Sequence, residues 1–505
     1  MKIYFVLHTY HKKRKNCMIN FSHGLGPKFK TLSMSFITVC LVTACTMAPR
    51  YQRPKINSAI PLTVPAVSTQ VQRKASDISW QHYFADPALK KLIAIGLKNN
   101  YEVQRAMLNL KRANAQYGLD IYKLIPNLSL ESISKNRSAP LDSGSRSMIE
   151  QKYSTGLGVT HFELDVYRKF DQGAMARHAL KANYYDQINA QITLIASIAK
   201  KYFATRIAEQ LLRNARQTYA YQKELYHIQS LRERAGISSK LELLQQQNAL
   251  DQAHTALLEA KEIYSRSENE LAVLIGEPLP KILPTPLPLD QQFYYNALPT
   301  DIPSEVMLYR PDIRSLEEKL QQANAEIGVA RSAFFPRVLL NGSLLAASSS
   351  FNTLFHHNQI GWNAGPTVTL PLFDIFPSIT YLKLSKIAKK AMVLDYQHAI
   401  QQAFFEVITA LNVYHKLNEE YILSDQIQRN TRKTRDLTRL RFNQGITDRN
   451  EMLEAEKTYI ESQNSYLKLT EAKLFNQVDL YTSLGGGSTA NDLSLIHISE
   501  PTRPY

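Results

Sequence analysis

The sequence predicts a mixed fold: a membrane β-barrel portion joined to a long α-helical coiled-coil barrel, built from an internally duplicated protomer of four strands and about six main helices. Three observations predict it. The chain matches itself at a constant offset, two helical patterns run for some 67 residues at about 168–234 and 376–443, and short strands in each copy alternate apolar with small or polar residues.

The repeat comes first because it organises the rest. A shift of 210 residues pairs Ala113-Asn114-Ala115 with Ala323-Asn324-Ala325, Gly118 with Gly328, and Pro126 with Pro336. A shift of 209 pairs Gly156 with Gly365, Asp165 with Asp374, Gly236-Ile237 with Gly445-Ile446, and Gly276 with Gly485. Coiled-coil composition yields chance matches among Ala, Leu and Glu, but not glycines and prolines at one spacing. A length of 505 residues, which the usual domain size divides into three or four units, thus resolves into repeats at 87–280 and 303–487 with a linker at 281–302.

The N-terminus is read separately. Residues 1–44 hold seven of the basic side chains and no acid, so the formal charge of +16 falls to +9 without them, and most of the excess that suggests nucleic acid disappears. Lys28 and Lys30 precede an apolar stretch from Leu32 to Leu41 and then Val42-Thr43-Ala44-Cys45, a signal-peptide pattern with Met18 or Met34 as alternative starts. Cys45 after Ala44 resembles the lipobox of bacterial lipoproteins. That likeness implies a covalent lipid on Cys45, a lipidated segment over 45–86, and outer-membrane sorting, since Thr46 and not Asp follows. Cys17 and Cys40 leave with the leader, so no disulfide and no cysteine metal site is expected. At the other end lies a tail, 488–505. Within it Leu493–Arg503 resembles a translated sequencing adapter, so 493–505 is expected to carry no native information and the true C-terminus to be missing.

Each repeat reads alike. A helix is expected over 87–125 and 303–335, with Leu89, Leu92, Ile93 and Ile95 at helical spacing and a stop at Pro126 or Pro336. Two strands follow, Pro126–Lys135 and Tyr153–Leu164 in the first copy, Pro336–Ala347 and Ile360–Pro371 in the second, around polar loops at Asn136–Glu150 and Ser348–Gln359. The long helix then spans about 100 Å at 1.5 Å per residue. A turn at Gly236 or Gly445 leads to a return helix ending near Gly276 or Gly485, which makes a coiled-coil hairpin.

In Trp362–Leu370 the alternate residues Trp362, Ala364, Pro366, Val368 and Leu370 are apolar, and Asn363, Gly365, Thr367 and Thr369 are small or polar. This suits a barrel strand with lipid on one side and water on the other; a soluble sheet with one buried face fits the alternation equally. Four strands cannot close a barrel, and open edges are not tolerated in lipid. Three copies supply twelve strands, so a cyclic trimer with pseudo-sixfold symmetry is the economical closure.

Arg310-Pro311-Asp312-Ile313, Ala333-Phe334-Phe335-Pro336, Gly365-Pro366, Pro371-Leu372-Phe373-Asp374 and Phe162-Glu163-Leu164-Asp165 resemble the motifs of the outer-membrane efflux protein (TolC-like) family, and the lipobox points to its NodT-type lipoprotein branch. The likeness covers about 75–485. It departs where Ile375-Phe376-Pro377-Ser378 replaces a glycine-rich stretch and where Phe162 replaces a tryptophan. The resemblance implies a trimeric twelve-stranded barrel continued by a periplasmic tunnel. Its function would be that of the exit duct of a tripartite efflux pump, a passive conduit driven by an inner-membrane RND transporter through a periplasmic membrane-fusion adaptor. The implied partners are a second and third copy, that adaptor, that transporter and outer-membrane lipid, with no nucleic acid, no enzyme activity and no cofactor beyond the lipid. A type I secretion or metal-cation duct, and a non-channel coiled-coil lipoprotein, are the alternatives.

The resemblance also carries site residues. The adaptor-docking tips match Ala235, Gly236 and Ile237 in one hairpin and Gln444, Gly445 and Ile446 in the other; the glycines suit turns needing φ > 0 and close backbone approach. Asn450, Glu451 and Glu454 match positions where relatives constrict the periplasmic aperture with acidic rings, and the alternative for the two glutamates is a solvated face paired with Arg449 or Lys457. His356-His357 falls in the outer loop without an acidic partner and is not expected to bind metal. The run Arg432, Lys433, Arg435, Arg439, Arg441 is expected to form a solvated or adaptor-facing helix face, and no nucleotide, zincin or hydrolase motif is present.

Overall fold

Two helices of 69 residues set the scale of the molecule. The computed structural model describes residues 46–54, 77–123, 125–133, 153–294, 308–348, 350–356, 360–370 and 375–488. Cys45, the leader 1–44, His357, Phe373-Asp374 and the tail beyond Asp492 lie outside the described residues. Within them the order is α1 (Trp80–Tyr83), α2 (Pro87–Asn99), α3 (Tyr101–Tyr122), β1 (Leu128–Ile133), β2 (Tyr153–Glu163), α4 (Val166–Arg234), α5 (Lys240–Ile275), α6 (Pro311–Ser332), β3 (Arg337–Ser348), β4 (Ile360–Thr369), α7 (Ile375–Asn443) and α8 (Arg449–Ser483). The series α3-β1-β2-α4-α5 repeats as α6-β3-β4-α7-α8, so the duplication seen in the sequence is a duplication of structure. Among the described residues no helix is long and apolar enough to cross a membrane.

Two expected boundaries are corrected. The helix expected over 87–125 is two helices, because Asn100 adopts an extended conformation (φ −64°, ψ 130°) and its side chain accepts hydrogen bonds from the Glu102 and Val103 N–H groups. An N-terminal cap of this kind satisfies orphan donors and fixes the break. Arg310 occupies the equivalent place in the second copy with φ −62° and ψ 132°, so that helix begins at Pro311 and not at 303. Pro377 lies in the first turn of α7, where its missing N–H is not needed.

The four strands form one antiparallel sheet in the order β1-β2-β3-β4. Register decides which side chains share a face. Leu130 stands opposite Leu157, Leu157 opposite Leu344, and Leu344 opposite Trp362. Val338 likewise faces Val368, while Gly158 meets Ser343 and Ser343 meets Asn363. One face is therefore apolar across all four strands and the other is mostly small and polar. A bulge between Val159 and Phe162 inserts a residue, which sets Phe162 opposite Leu340 on the apolar face. Nothing among the described residues covers this face: Trp362 is 79% exposed and Leu130 74%. The outer edges of β1 and β4 pair with no strand among the described residues.

The core lies at mid-height of the helical region, not at its ends. Leu89, Leu92 and Ile93 of α2 bury against Ile195, Ile198 and Phe203 of α4 and Ile275 of α5, with Ile400 and Val407 of α7 and Val478 of α8 in the same cluster. Tyr83 of α1 stacks on Tyr481 at 4.1 Å between centroids, tying the segment before the first copy to the last helix of the second. Asp86 is fully buried and fully bonded: it caps α2 through the Ala88 N–H (2.8 Å) and accepts from Tyr202 Oη (2.8 Å), Leu287 N (3.2 Å) and Arg206 (3.3 Å). One carboxylate thus joins α2, α4 and the linker, which is how a buried charge is tolerated.

Candidate functional site

Each long hairpin closes in the same turn. At the end of α4 the Ile237 N–H donates to the Arg232 carbonyl (2.9 Å) and the Gly236 N–H to the Glu233 carbonyl (3.0 Å), with Gly236 at φ 71°. At the end of α7 Ile446 donates to Arg441 (2.9 Å), Gly445 to Phe442 (2.9 Å), and Gly445 also has φ 71°. This is the Schellman arrangement, which needs a left-handed residue and so selects glycine. Both glycines face open space: among the described residues, a Cβ on Gly236 or Gly445 would meet no neighbouring atom within 4 Å. Ala235 and Gln444 precede the glycines, and Ile237 and Ile446 follow them, 70% and 62% exposed. The six sequence-selected tip residues therefore form two open, apolar-tipped ends.

Just past each turn a cap starts the return helix. Ser239 accepts from the Glu242 N–H (3.2 Å) and Asp448 from the Glu451 N–H (2.8 Å). The glutamates reach back: Glu242 accepts from Ser238 Oγ and Glu451 from Thr447 Oγ1. Hydrogen bonds from Ser238 and the backbone at Ser239 hold the Glu242 carboxyl below its usual range. The arrangement is a variant of the capping box, carried in the sequence by Ser239-x-x-Glu242 and Asp448-x-x-Glu451, with each glutamate bonding the hydroxyl of the residue before the cap. Glu451 therefore serves its own helix start, beside Asn450. Glu454 stands exposed one turn on and pairs with Lys457 at 3.3 Å, while Arg449 pairs across the protomer with Glu224 of α4. In the basic run, Arg435 pairs with Asp436 and lies over the Tyr459 ring at 4.2 Å.

At the opposite end the segment 46–54 runs along α6. Thr46 Oγ1 and the Met47 N–H both donate to Asp171 in the second turn of α4, the latter at 3.1 Å. Arg331 donates to the Met47 carbonyl (2.9 Å), Asn324 to the Pro49 carbonyl (2.8 Å), and Arg53 makes a two-pronged bond to Glu317 at 2.9 Å for each prong. Gly328 is what admits the strap, since a Cβ there would sit 2.6 Å from the Ala48 nitrogen. Thr46 is thereby held beside the junction of strands and helices, close to where β2 ends and β3 begins. The Arg310-Pro311-Asp312 motif proves structural: Arg310 bonds Asp312 and Glu406 at 2.8 Å each and the Ser483 carbonyl at 3.2 Å, fastening α6 to α7 and α8.

A sheet with an uncovered apolar face, carried on helical hairpins about 100 Å long, defines a subunit of a membrane channel. Comparison with known proteins makes this specific. The description "Outer membrane efflux protein" matches residues 92–277 and 302–486, well over half of the 505. The chain belongs to that family and is an outer-membrane protein. It is 30% identical over 469 residues to the "Toluene efflux pump outer membrane protein TtgC" of Pseudomonas putida, covering 91% of this chain and 96% of the relative. It is 29% identical to the "Cation efflux system protein CusC" of Escherichia coli K12, covering 90% and 99%. Its fold is similar to the open state of the Neisseria gonorrhoeae MtrE outer membrane channel, with a TM-score of 0.79, 32% identity, and coverage of 88% of this chain and 98% of that one.

Proposed function

We propose that this chain is the outer-membrane exit duct of a tripartite efflux pump, working as a homotrimer whose twelve strands close a barrel. The observation that carries it is the sheet: one continuous apolar face, one mostly small and polar face, and outer edges on β1 and β4 that pair with no strand among the described residues. Such edges are excluded from lipid unless a neighbour pairs with them. Joining β4 of one protomer to β1 of the next satisfies both edges and continues the helices as a tunnel.

The tips around Gly236 and Gly445 are where a periplasmic membrane-fusion adaptor docks, leading to an inner-membrane RND transporter. The open space over both glycines supports this, because a partner's backbone approaches there without a Cβ in the way. Cys45 is the lipid anchor. In support, Asp171 holds Thr46 beside the strand ends, at the level where acyl chains enter a bilayer. Asn450, Glu451 and Glu454 line the periplasmic aperture, where rings of three carboxylates favour cations. The relatives' names span toluene and cation efflux, consistent with cargo set by the pump and not by the duct.

Deleting the gene and profiling drug, bile-salt and metal sensitivity, alongside planar-bilayer conductance of the purified protein, tests the duct. A detergent-stable trimer with no conductance defeats it. Glu451→Ala with Glu454→Ala is expected to lower cation selectivity, and unchanged conductance and selectivity would remove the aperture assignment.

A further inference from the structure

The duplication gives a view of a contact that one protomer does not contain. Inside the protomer the two hairpins meet along α4 and α8. Lys200 pairs with Asp479 at 2.5 Å, Asn214 donates to Asn464 at 2.7 Å, and near the tip Glu224 pairs with Arg449. The 209-residue offset that places Gly236 on Gly445 also places α4 on α7 and α5 on α8. In a closed ring the α4–α8 seam therefore recurs between α7 of one protomer and α5 of the next.

The same offset names the residues at that second seam. Lys200 and Asp479 become Thr409 and Glu270, Asn214 and Asn464 become Leu423 and Thr255, and Glu224 and Arg449 become Lys433 and Lys240. At the last position an ion pair inside the protomer is replaced by two ammonium groups between protomers. Both lysines are exposed, and among the described residues neither joins an ion pair. The acids nearest in sequence are engaged: Asp436 with Arg435, and Glu242 with its helix cap. Lys240 is also the first residue of α5, where the helix end adds its own positive potential.

We infer that each tip junction between protomers is a seat for a carboxylate supplied by the periplasmic partner, held by Lys240 of one protomer and Lys433 of the next. It rests on the trimeric, adaptor-docked duct proposed above and adds the chemistry of the contact: an acidic side chain near the end of the adaptor hairpin. Two facing ammonium groups repel, and an anion between them makes a charge-assisted hydrogen bond to each. The tip ring then alternates three seams tied by Glu224–Arg449 with three that tighten only when the partner arrives.

Two measurements on the full-length lipidated trimer decide it. Lys240→Cys with Lys433→Cys is expected to oxidise into dimers and trimers on denaturing gels, whereas Glu224→Cys with Arg449→Cys links only within the monomer. The binding probe is a pair of synthetic helical hairpins with three glutamates or three glutamines at the turn. The glutamate hairpin is expected to bind at least about tenfold more tightly, in the range of a charge-assisted contact, and more weakly as salt rises. The preference should vanish in Lys240→Gln with Lys433→Gln and survive in Arg432→Gln with Arg439→Gln. Equal binding of both hairpins, no binding of either, or a preference that survives the lysine changes overturns the seat while leaving the duct intact. Cysteine pairs that never link protomers in a conducting channel overturn the register on which it depends.

Discussion

Reversing the chemistry of single positions on the two sheet faces tests the membrane assignment directly. β3 spans 12 residues from Arg337 to Ser348. At about 3.4 Å per residue and a tilt near 40°, it climbs about 31 Å, and Leu344 lies about 18 Å up, close to the middle of the hydrocarbon. Leu344 stands between Leu157 and Trp362 on the apolar face. An arginine at the midplane of a barrel costs about 2–4 kcal/mol, so Leu344→Arg should destabilise a trimer by about 6–12 kcal/mol. Ser343 is one residue away on the opposite face, where its hydroxyl donates to Asn363 Oδ1 at 2.9 Å. Ser343→Arg loses that bond but keeps its charge in water, and should leave folding nearly unchanged. Urea-unfolded protein is folded into phosphatidylcholine vesicles, and heat-modifiable trimer is followed on gels as urea is varied. Loss of trimer in Leu344→Arg alone is expected. Equal behaviour of the two variants, or greater damage from Ser343→Arg, would refute a lipid-facing Leu344.

Asp86→Ala strands the Tyr202 hydroxyl and the Arg206 charge, and removing one partner of a buried pair costs about 3–5 kcal/mol; hydrogen exchange should show α2 and the linker opening together, with Asp86→Asn milder because it retains the cap. Gly236→Val forces a β-branched residue to φ 71° in open space, so the strain, about 1–2 kcal/mol, is confined to the backbone. Trimer yield should persist while the last turn of α4 exchanges faster and adaptor co-purification falls. Burial raises the Glu318 carboxyl, but the His178 hydrogen bond at 2.6 Å and the charges of Lys181 and His178 outweigh it and leave it below its usual value of 4.5. A depressed carboxyl stabilises the fold above the unfolded value and loses that contribution as pH falls below it. Acidification from pH 6 through about 4.5 and below should therefore loosen α4 from α6 in hydrogen exchange, and Glu318→Gln should abolish the pH step.

What could be read in the chain was what repeats or alternates. The offset pairs of glycine and proline located both copies, and the Trp362–Leu370 alternation gave the face that cross-strand register later joined to Leu344, Leu157 and Leu130. The helix break at Asn100 was hidden because apolar spacing continues on both sides of it, and only the capping preference of asparagine marks it. The strap is not legible for a different cause: Arg53 meets Glu317 and Thr46 meets Asp171 across more than a hundred residues, a pairing no local pattern encodes. At the tips the glycines were recognisable from turn chemistry. Glu451 accepts from Thr447 in its own helix cap, a local role that a ring of charge in an assembly does not exclude.

The two-copy architecture also changes what a mutation can do. In a ring of six identical half-length chains, every substitution would appear six times and every junction would have to be the same. Here Glu224 and Lys433 occupy corresponding places, as do Arg449 and Lys240, yet each is set by its own codon. In the trimer proposed above, a single base change alters three positions around the tip and spares the other three. Selection can thus weaken one class of junction without touching its counterpart, so a tube that is nearly sixfold in shape is free to evolve threefold motion.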